Sequence, residues 1–340
     1  MKGTSTNNWQ IGAVKITRVV EMESTGGSRF ILPDATRDAC KPIEWMQPHF
    51  MDEQGNLKMS VHALIIDTGE YRILVDTCIG NDKERNIPAW SHLQTDFLHQ
   101  LTNAGYPRES IDYVLCTHLH VDHVGWNTML IDGEWVPTFT NARYLIGETE
   151  WEYWDANDDE SKYGPVLADS VRPVIEAGLV DLVPTDHQLC PEVCLQPTPG
   201  HTPGHVSVKI ESNGARALIT GDCIHHPVQM TRTDWCSSAD YDQSAGQLTR
   251  ESLLSDLVDQ SILVIGTHFA TPTAGHVKGL PSGGYWLDVE QHVTASRRPK
   301  RPFFTVGRQN GAVHTNFSPS VYLICDSQPP CSRTRVLVRE

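Results

Sequence analysis

Nowhere do the 340 residues contain an apolar run approaching the roughly 20 residues that a membrane helix needs. The strongest apolar stretches, residues 61–66 and 261–265, are far shorter. The opening MKGTSTNNWQIG has no apolar centre of the signal-peptide kind, so neither a membrane protein nor a classically secreted one is expected. Positive charge is scarce as well: 27 Lys and Arg stand against 42 Asp and Glu, a net charge of −15. Nucleic-acid binding rests largely on neutralising phosphates, so nucleic acid and anionic membranes are both poor partners for such a surface. The nine cysteines never fall into a CxxC spacing, which removes zinc ribbons and thioredoxin-type sites, and the CxxxC of Cys190 and Cys194 is too weak to count as a metal site. An odd, scattered set fits free thiols in a reducing compartment, and a cytoplasmic location is expected. With 39% hydrophobic and 20% charged residues the chain is an ordinary globular one, not a disordered one. Histidine is the unusual entry, at 16 residues, about half of them in a few short segments.

Residues 61–66 (VHALII) and 71–76 (YRILVD) flank Asp67-Thr68-Gly69 and read as an antiparallel hairpin. Leu93, Phe97 and Leu101 sit at helical spacing ahead of a Gly105-Tyr106-Pro107 stop. Residues 113–117 form a buried strand, and a helix is predicted over 158–178, interrupted at Gly164-Pro165. Strand-like runs follow at 179–184, 192–196, 206–210 and 215–220, then a helix over 249–260 capped by Thr249, then a buried strand over 261–266. Hairpin-linked early strands argue against a purely parallel sheet, so the pattern predicts an α/β sandwich of sheets with helices outside. No linker divides it: residues 1–325 are expected to be one domain and residues 326–340 a flexible tail.

The chemistry concentrates in Thr117-His118-Leu119-His120-Val121-Asp122-His123, directly after a strand. In extended chain, residues two apart point to the same side, so His118 and His120 can share one metal. The chain then turns, and Asp122 with His123 can face a second metal a few ångströms away. Three imidazoles and a carboxylate suit zinc with a position left open for water. Further candidate ligands each follow a predicted strand: His201 in the tight loop PTPGHTPGH, Asp222 in Thr220-Gly221-Asp222, where a carboxylate could bridge two cations, and His268 after Gly266-Thr267.

This set of motifs resembles the metallo-β-lactamase-fold superfamily, and the likeness covers roughly residues 10–317. It implies an αββα sandwich with a dinuclear metal site at one edge. His118, His120 and His201 would bind the first metal, Asp122, His123 and His268 the second, and Asp222 would bridge them. Two zinc ions are implied, with Mn, Co or Fe open as alternatives, sharing a bridging hydroxide that attacks the substrate; Asp122 and Asp222 are the catalytic carboxylates, Asp122 through proton transfer to the leaving group. Within the superfamily, the flavo-diiron branch has Glu where this chain has His120, the acidic surface argues against the tRNA-cleaving branch, and the helical C-terminal domain of glyoxalase II is not evident. The TPGHTPGH loop is similar to that of acyl-homoserine lactonases, and Asp222-Cys223-Ile224-His225-His226 to the methyl-parathion-hydrolase-like branch.

The expected function is therefore metal-dependent hydrolysis of small apolar esters, a lactone first, an organophosphate triester second and a β-lactam third. A catalytically silent metal-binding protein of the same fold is the non-enzyme alternative. His225, His226, Trp45, Trp151 and Trp154 are the candidate substrate contacts, residues 34–58 a candidate cover over the site, and the aromatic surface leaves a homodimer open.

Overall fold

In Lys58–Asp67, Leu64 and Ile66 face one side of the strand and Ala63 and Ile65 the other, and all four are fully buried. A strand reads this way only when both its faces are covered. This strand, β3, lies in a seven-stranded sheet with the spatial order β1 (Asn8–Ile11), β2 (Val14–Thr25), β3 (Lys58–Asp67), β4 (Arg72–Val75), β5 (Tyr113–Leu115), β8 (Arg143–Gly147) and β9 (Val180–Val183). β1 to β4 pair antiparallel, whereas β4, β5, β8 and β9 run parallel. An outlying hairpin, β6 (Thr128–Ile131) and β7 (Glu134–Pro137), is inserted between β5 and β8. The second sheet follows chain order: β10 (Gln188–Cys190), β11 (Val193–Pro197), β12 (Val206–Ser212), β13 (Ala215–Ile219), β14 (Ile262–Ile265), β15 (Ala274–Gly279) and β16 (Tyr285–Asp288). β13 and β14 are parallel, and their crossover carries the helix Gln243–Leu257. The computed structural model describes residues 8–289, all within the compact unit Met1–Arg297; the expected tail at 326–340 lies outside the described residues.

Leu64, Ile66 and Leu115 of the first sheet meet Leu195, Val208 and Ile265 of the second in one apolar layer. Burying each such side chain contributes about 1.5–3 kcal/mol. Ala63, Ile65 and Val114 on the outer face pack under Phe97 and Leu101 of the helix Phe97–Asn103, and under Leu167 and Val174 of two short helices. On the far side, Leu218 and Val264 pack against Leu254 and Leu257 of the helix Gln243–Leu257. The result is the αββα sandwich that the sequence pattern and the resemblance both predict.

Three local expectations change. The helix predicted over 158–178 is three short ones, Glu160–Tyr163, Val166–Ser170 and Arg172–Glu176, because Gly164 takes a positive φ of 92° and Pro173 restarts the last of them. The helix predicted over 249–260 starts earlier, at Gln243. Asp242 caps it by accepting from Ala245 N, while the Thr249 hydroxyl donates to the Pro199 carbonyl. Residues 34–58 do not cover the site: Met46 and Phe50 are fully buried in the core beside Phe269 and Ile224.

Candidate metal centre and its cavity

Loops leaving the ends of β5, β11, β13 and β14 meet at one edge of the sandwich and carry His118 to His123, His201, Asp222 and His268 respectively. Two glycines make the close approach possible. A Cβ on Gly204 would stand 2.3 Å from Glu150 N, and Gly221, at φ +54°, would place one 2.5 Å from His205 Nε2.

The structure brings all seven sequence-predicted ligands together. His118 Nε2 lies 3.1 Å from His120 Nδ1, which lies 2.8 Å from His201 Nε2. Beside them, His123 Nε2 and His268 Nε2 are 3.2 Å apart, 3.7 and 3.6 Å from the carboxylate oxygens of Asp122. Asp222 reaches both groups: Oδ2 is 3.5 Å from His201 Nε2 and 3.3 Å from His123 Nε2, and Oδ1 is 3.1 Å from His268 Nε2.

The outward nitrogens fix which lone pairs face inward. His201 Nδ1 donates to Asp240 Oδ1 at 2.8 Å, His123 Nδ1 to Asp76 Oδ2 at 2.9 Å, and His268 Nδ1 to the Ser60 carbonyl at 3.0 Å. Each of these rings therefore turns its Nε2 towards the centre. Imidazole nitrogens facing one another at such distances repel through their lone pairs unless a proton or a metal cation stands between them. The spacings are also close to the roughly 3.3 Å between ligand atoms of a tetrahedral ion with bonds near 2.0 Å. The residues thus fit divalent cations of the zinc type, in a His118, His120, His201 group and an Asp122, His123, His268 group.

Burial pushes His118, His120 and His201 well below the ordinary imidazole range, which keeps these nitrogens unprotonated. Burial opposes charge on His123 and His268 too, but Asp222, with Asp122 nearby, outweighs it and raises both, His268 to about 8. Asp222 is fully buried, which works against its charge, yet His268, His123 and His225 hold it well below the carboxylate range.

Above the centre opens a cavity of about 310 Å³. Asp122, Asp222, His225 and His268 line its floor, while Met22, Phe30, Met59, Val61, Ile87 and Trp90 supply its walls. Phe30 and Trp90 meet edge to face, 6.0 Å between ring centroids. His225 is 1% exposed, neither ring nitrogen makes a hydrogen bond, and its Nε2 lies 3.3 Å from Asp222 Oδ2.

The other predicted contacts lie elsewhere. His226 accepts from Val228 N and donates to the Phe50 carbonyl, so both its nitrogens are engaged in the core. Trp45 donates to Thr231 and packs on Phe50 and Trp286. Trp151 lies against the Arg172 guanidinium, 5.7 Å from its ring centroid. Trp154 stacks edge-on against His120 from behind, 5.3 Å away, and donates to Glu150. Residues that sequence reasoning passed over also act here. Asp76, at the end of β4, accepts from Thr117 N and from His123, and a charged residue closing a buried strand was the available signal. Asp240 and Glu150 carried no such signal. Tyr163 lines the cavity beside His120, and burial pushes its phenol up.

The family described as the metallo-beta-lactamase superfamily matches residues 58–268, and the chain belongs to it. Among curated proteins it is similar to an N-acyl homoserine lactonase of a Bacillus species, 27% identical over 176 residues, which are 48% of this chain and 63% of that protein. It also resembles the N-acyl homoserine lactonase AiiA of Bacillus thuringiensis subsp. kurstaki, at 26% with the same coverage. The chain thus spans a little under two-thirds of the length of these relatives. Among solved structures, AbOPH, a hydrolase in the beta lactamase superfamily, superposes with a TM-score of 0.67 at 22% identity, covering 83% of this chain and 97% of that one. AidC, a dizinc quorum-quenching lactonase in complex with a product, N-hexnoyl-L-homoserine, gives 0.66 at 21% identity, covering 83% and 96%. Among the described residues no helix is long and apolar enough to cross a membrane.

Proposed function

We propose that this protein is a dinuclear zinc hydrolase that opens small apolar lactones of the acyl-homoserine type. The observation that carries the reading is the gathering of seven candidate metal ligands, five of which line a cavity whose walls are mostly aliphatic. A lactone bearing an acyl chain matches both parts: a polar ring over the floor, a chain along Met22, Met59, Val61 and Ile87. The curated relatives, lactonases by name, support the same substrate class.

His118, His120 and His201 would hold one ion, Asp122, His123 and His268 the other, with Asp222 shared. Ions bound in these positions would supply Lewis acidity and would lower the pKa of a coordinated water from about 15.7 towards about 7. Around them the chain's own groups orient and protonate. Asp122 borders the cavity, where a free carboxylate oxygen would take up the proton that the attacking water gives up and pass it to the leaving oxygen as the ring opens. His225, with its ring nitrogens unpaired, donates to the oxygen on which charge develops. Phe30 and Trp90 close the apolar wall and exclude water from the acyl chain.

The test is proton release from a long-chain acyl-homoserine lactone by the zinc-reconstituted full chain, with Asp222→Ala alongside. Rapid opening that the variant loses is the expected result. Protein that holds two metals and opens no lactone overturns the lactone reading, and phosphotriesters, then β-lactams, become the substrates to try.

A further inference from the structure

Glu150 is a carboxylate buried to 1% exposure on the helix Glu148–Ala156; its hydrogen bonds go to no predicted ligand's side chain, and it does not line the cavity. Buried carboxylates are costly unless donors converge on them. Here three do. Leu119 N donates to Oε1 at 3.0 Å, Trp154 Nε1 to the same oxygen at 2.7 Å, and Gly204 N to Oε2 at 3.0 Å. Leu119 stands between His118 and His120, and Gly204 lies three residues after His201. The two oxygens of one side chain therefore tie together two loops, separate in sequence and belonging to different sheets, at the points that carry the three histidines of one group, the first loop continuing beyond Leu119 and His120 to Asp122 and His123. The Asp122, His123, His268 group receives no hydrogen bond from Glu150; Asp76 and the Ser60 carbonyl orient it instead. Gly204 fits this arrangement, since the main chain passes too close to Glu150 for any side chain there.

We infer that Glu150 is a positioning residue for one metal of the pair: it sets the His118, His120, His201 group and leaves the other group alone. The inference rests on the dinuclear reading above. Gln at this position keeps one acceptor oxygen but turns an amide N–H towards a main-chain N–H, so one of the two loops is released. Changes to groups that orient metal ligands typically weaken metal affinity by about 10–100-fold.

The experiment measures zinc stoichiometry and stepwise affinity by chelator competition on the full chain, comparing wild type, Glu150→Gln and Glu150→Asp. Visible spectra of the cobalt-loaded forms are recorded beside them. The expected result is one zinc site weakened about 10–100-fold in Glu150→Gln with the other unchanged, a cobalt spectrum altered for one ion only, and partial recovery in Glu150→Asp, which keeps the charge. Equal affinities in variant and wild type overturn the inference, as does parallel weakening of both sites, and both leave the dinuclear reading standing. Wild type that binds no metal overturns the dinuclear reading and the inference together. If neither variant folds, hydrogen exchange at the Leu119 and Gly204 amides in the full chain without zinc decides: protection supports the clamp, and exchange at the unprotected rate overturns it.

Discussion

The two halves of the centre are built from the same side chain and stabilised by opposite means. His118, His120 and His201 are gathered where burial dominates, so their rings lie well below the usual imidazole range and are held as neutral donors. Their loops hang on Glu150 and Asp240. His123 and His268 sit equally deep, but Asp222 and Asp122 stand close enough to reverse the effect of burial. Here the orienting groups are Asp76 and a main-chain carbonyl. Burial alone therefore does not decide the character of a histidine: at His123 and His268 the facing carboxylates outweigh it. One half is a neutral nitrogen cradle, and in the other carboxylates favour the charged form of the rings, protons that a metal cation would displace.

Asp222 belongs to both halves, and removing it is the sharpest way to break the contrast. Asp222→Ala is expected to lose metal from both groups and to cut turnover by more than the roughly 100-fold typical of groups one step removed from the metal. Zinc content by elemental analysis with lactone turnover checks this; retention of two tightly held ions removes Asp222 from its shared position.

Asp76→Asn and Asp240→Asn then separate the halves. Each carboxylate accepts from a ring N–H with one oxygen and from a main-chain N–H with another, Thr117 N for Asp76 and Ser237 N for Asp240. An amide keeps only one of these acceptors. If its N–H2 faces the ring, the imidazole adopts the other tautomer and turns a proton towards the centre. Asp76→Asn should weaken the His123 side and Asp240→Asn the His201 side, each by about 10–100-fold in metal affinity. Identical effects of the two variants would merge the halves into one site.

A smaller effect is expected at the cavity wall. Trp90→Ala removes apolar surface without touching any group at the floor, so KM for a long-chain lactone should rise about tenfold while kcat stays within about threefold. Short-chain lactones should not respond. A fall in kcat with unchanged KM would place Trp90 in the chemistry instead of the wall.

How much of this was legible in the sequence follows from how far apart the cooperating groups lie. His118 to His123 are near neighbours, so their spacing carries the geometry, and strand ends mark His201, Asp222 and His268. The layered fold was legible for a similar reason: the nearly unbroken apolar run within Lys58–Asp67 records burial on both faces. Glu150 and Asp240 were not legible. Their partners on the ligand-bearing loops, two main-chain N–H groups and a ring nitrogen, lie dozens of residues away, and no local pattern distinguishes a buried acid from an exposed one. Trp45 and Trp151 show the converse, since a tryptophan in a core and one in a cavity wall look alike in a sequence.

His225 and His226 carry the same comparison down to adjacent residues. His225 faces the cavity with its ring nitrogens unpaired, whereas His226 is turned into the core and fully bonded. Burial lowers the His226 pKa to about 4, against roughly 6.5 in an unfolded chain. As pH falls below about 6.5 the unfolded chain takes up a proton that the folded protein refuses. The stability His226 contributes is therefore fully present above about pH 6.5 and is lost as the pH falls towards about 4, by roughly 3 kcal/mol over the window. His226→Gln removes the titrating ring, so it should flatten the decline in unfolding free energy between pH 6.5 and 4, at some cost in stability at pH 7 from the altered bonds to Phe50 and Val228. Turnover at pH 7 should change less than in any variant above. Urea unfolding at three pH values across the window measures the slope, and a slope identical to wild type would assign the acid sensitivity to other groups.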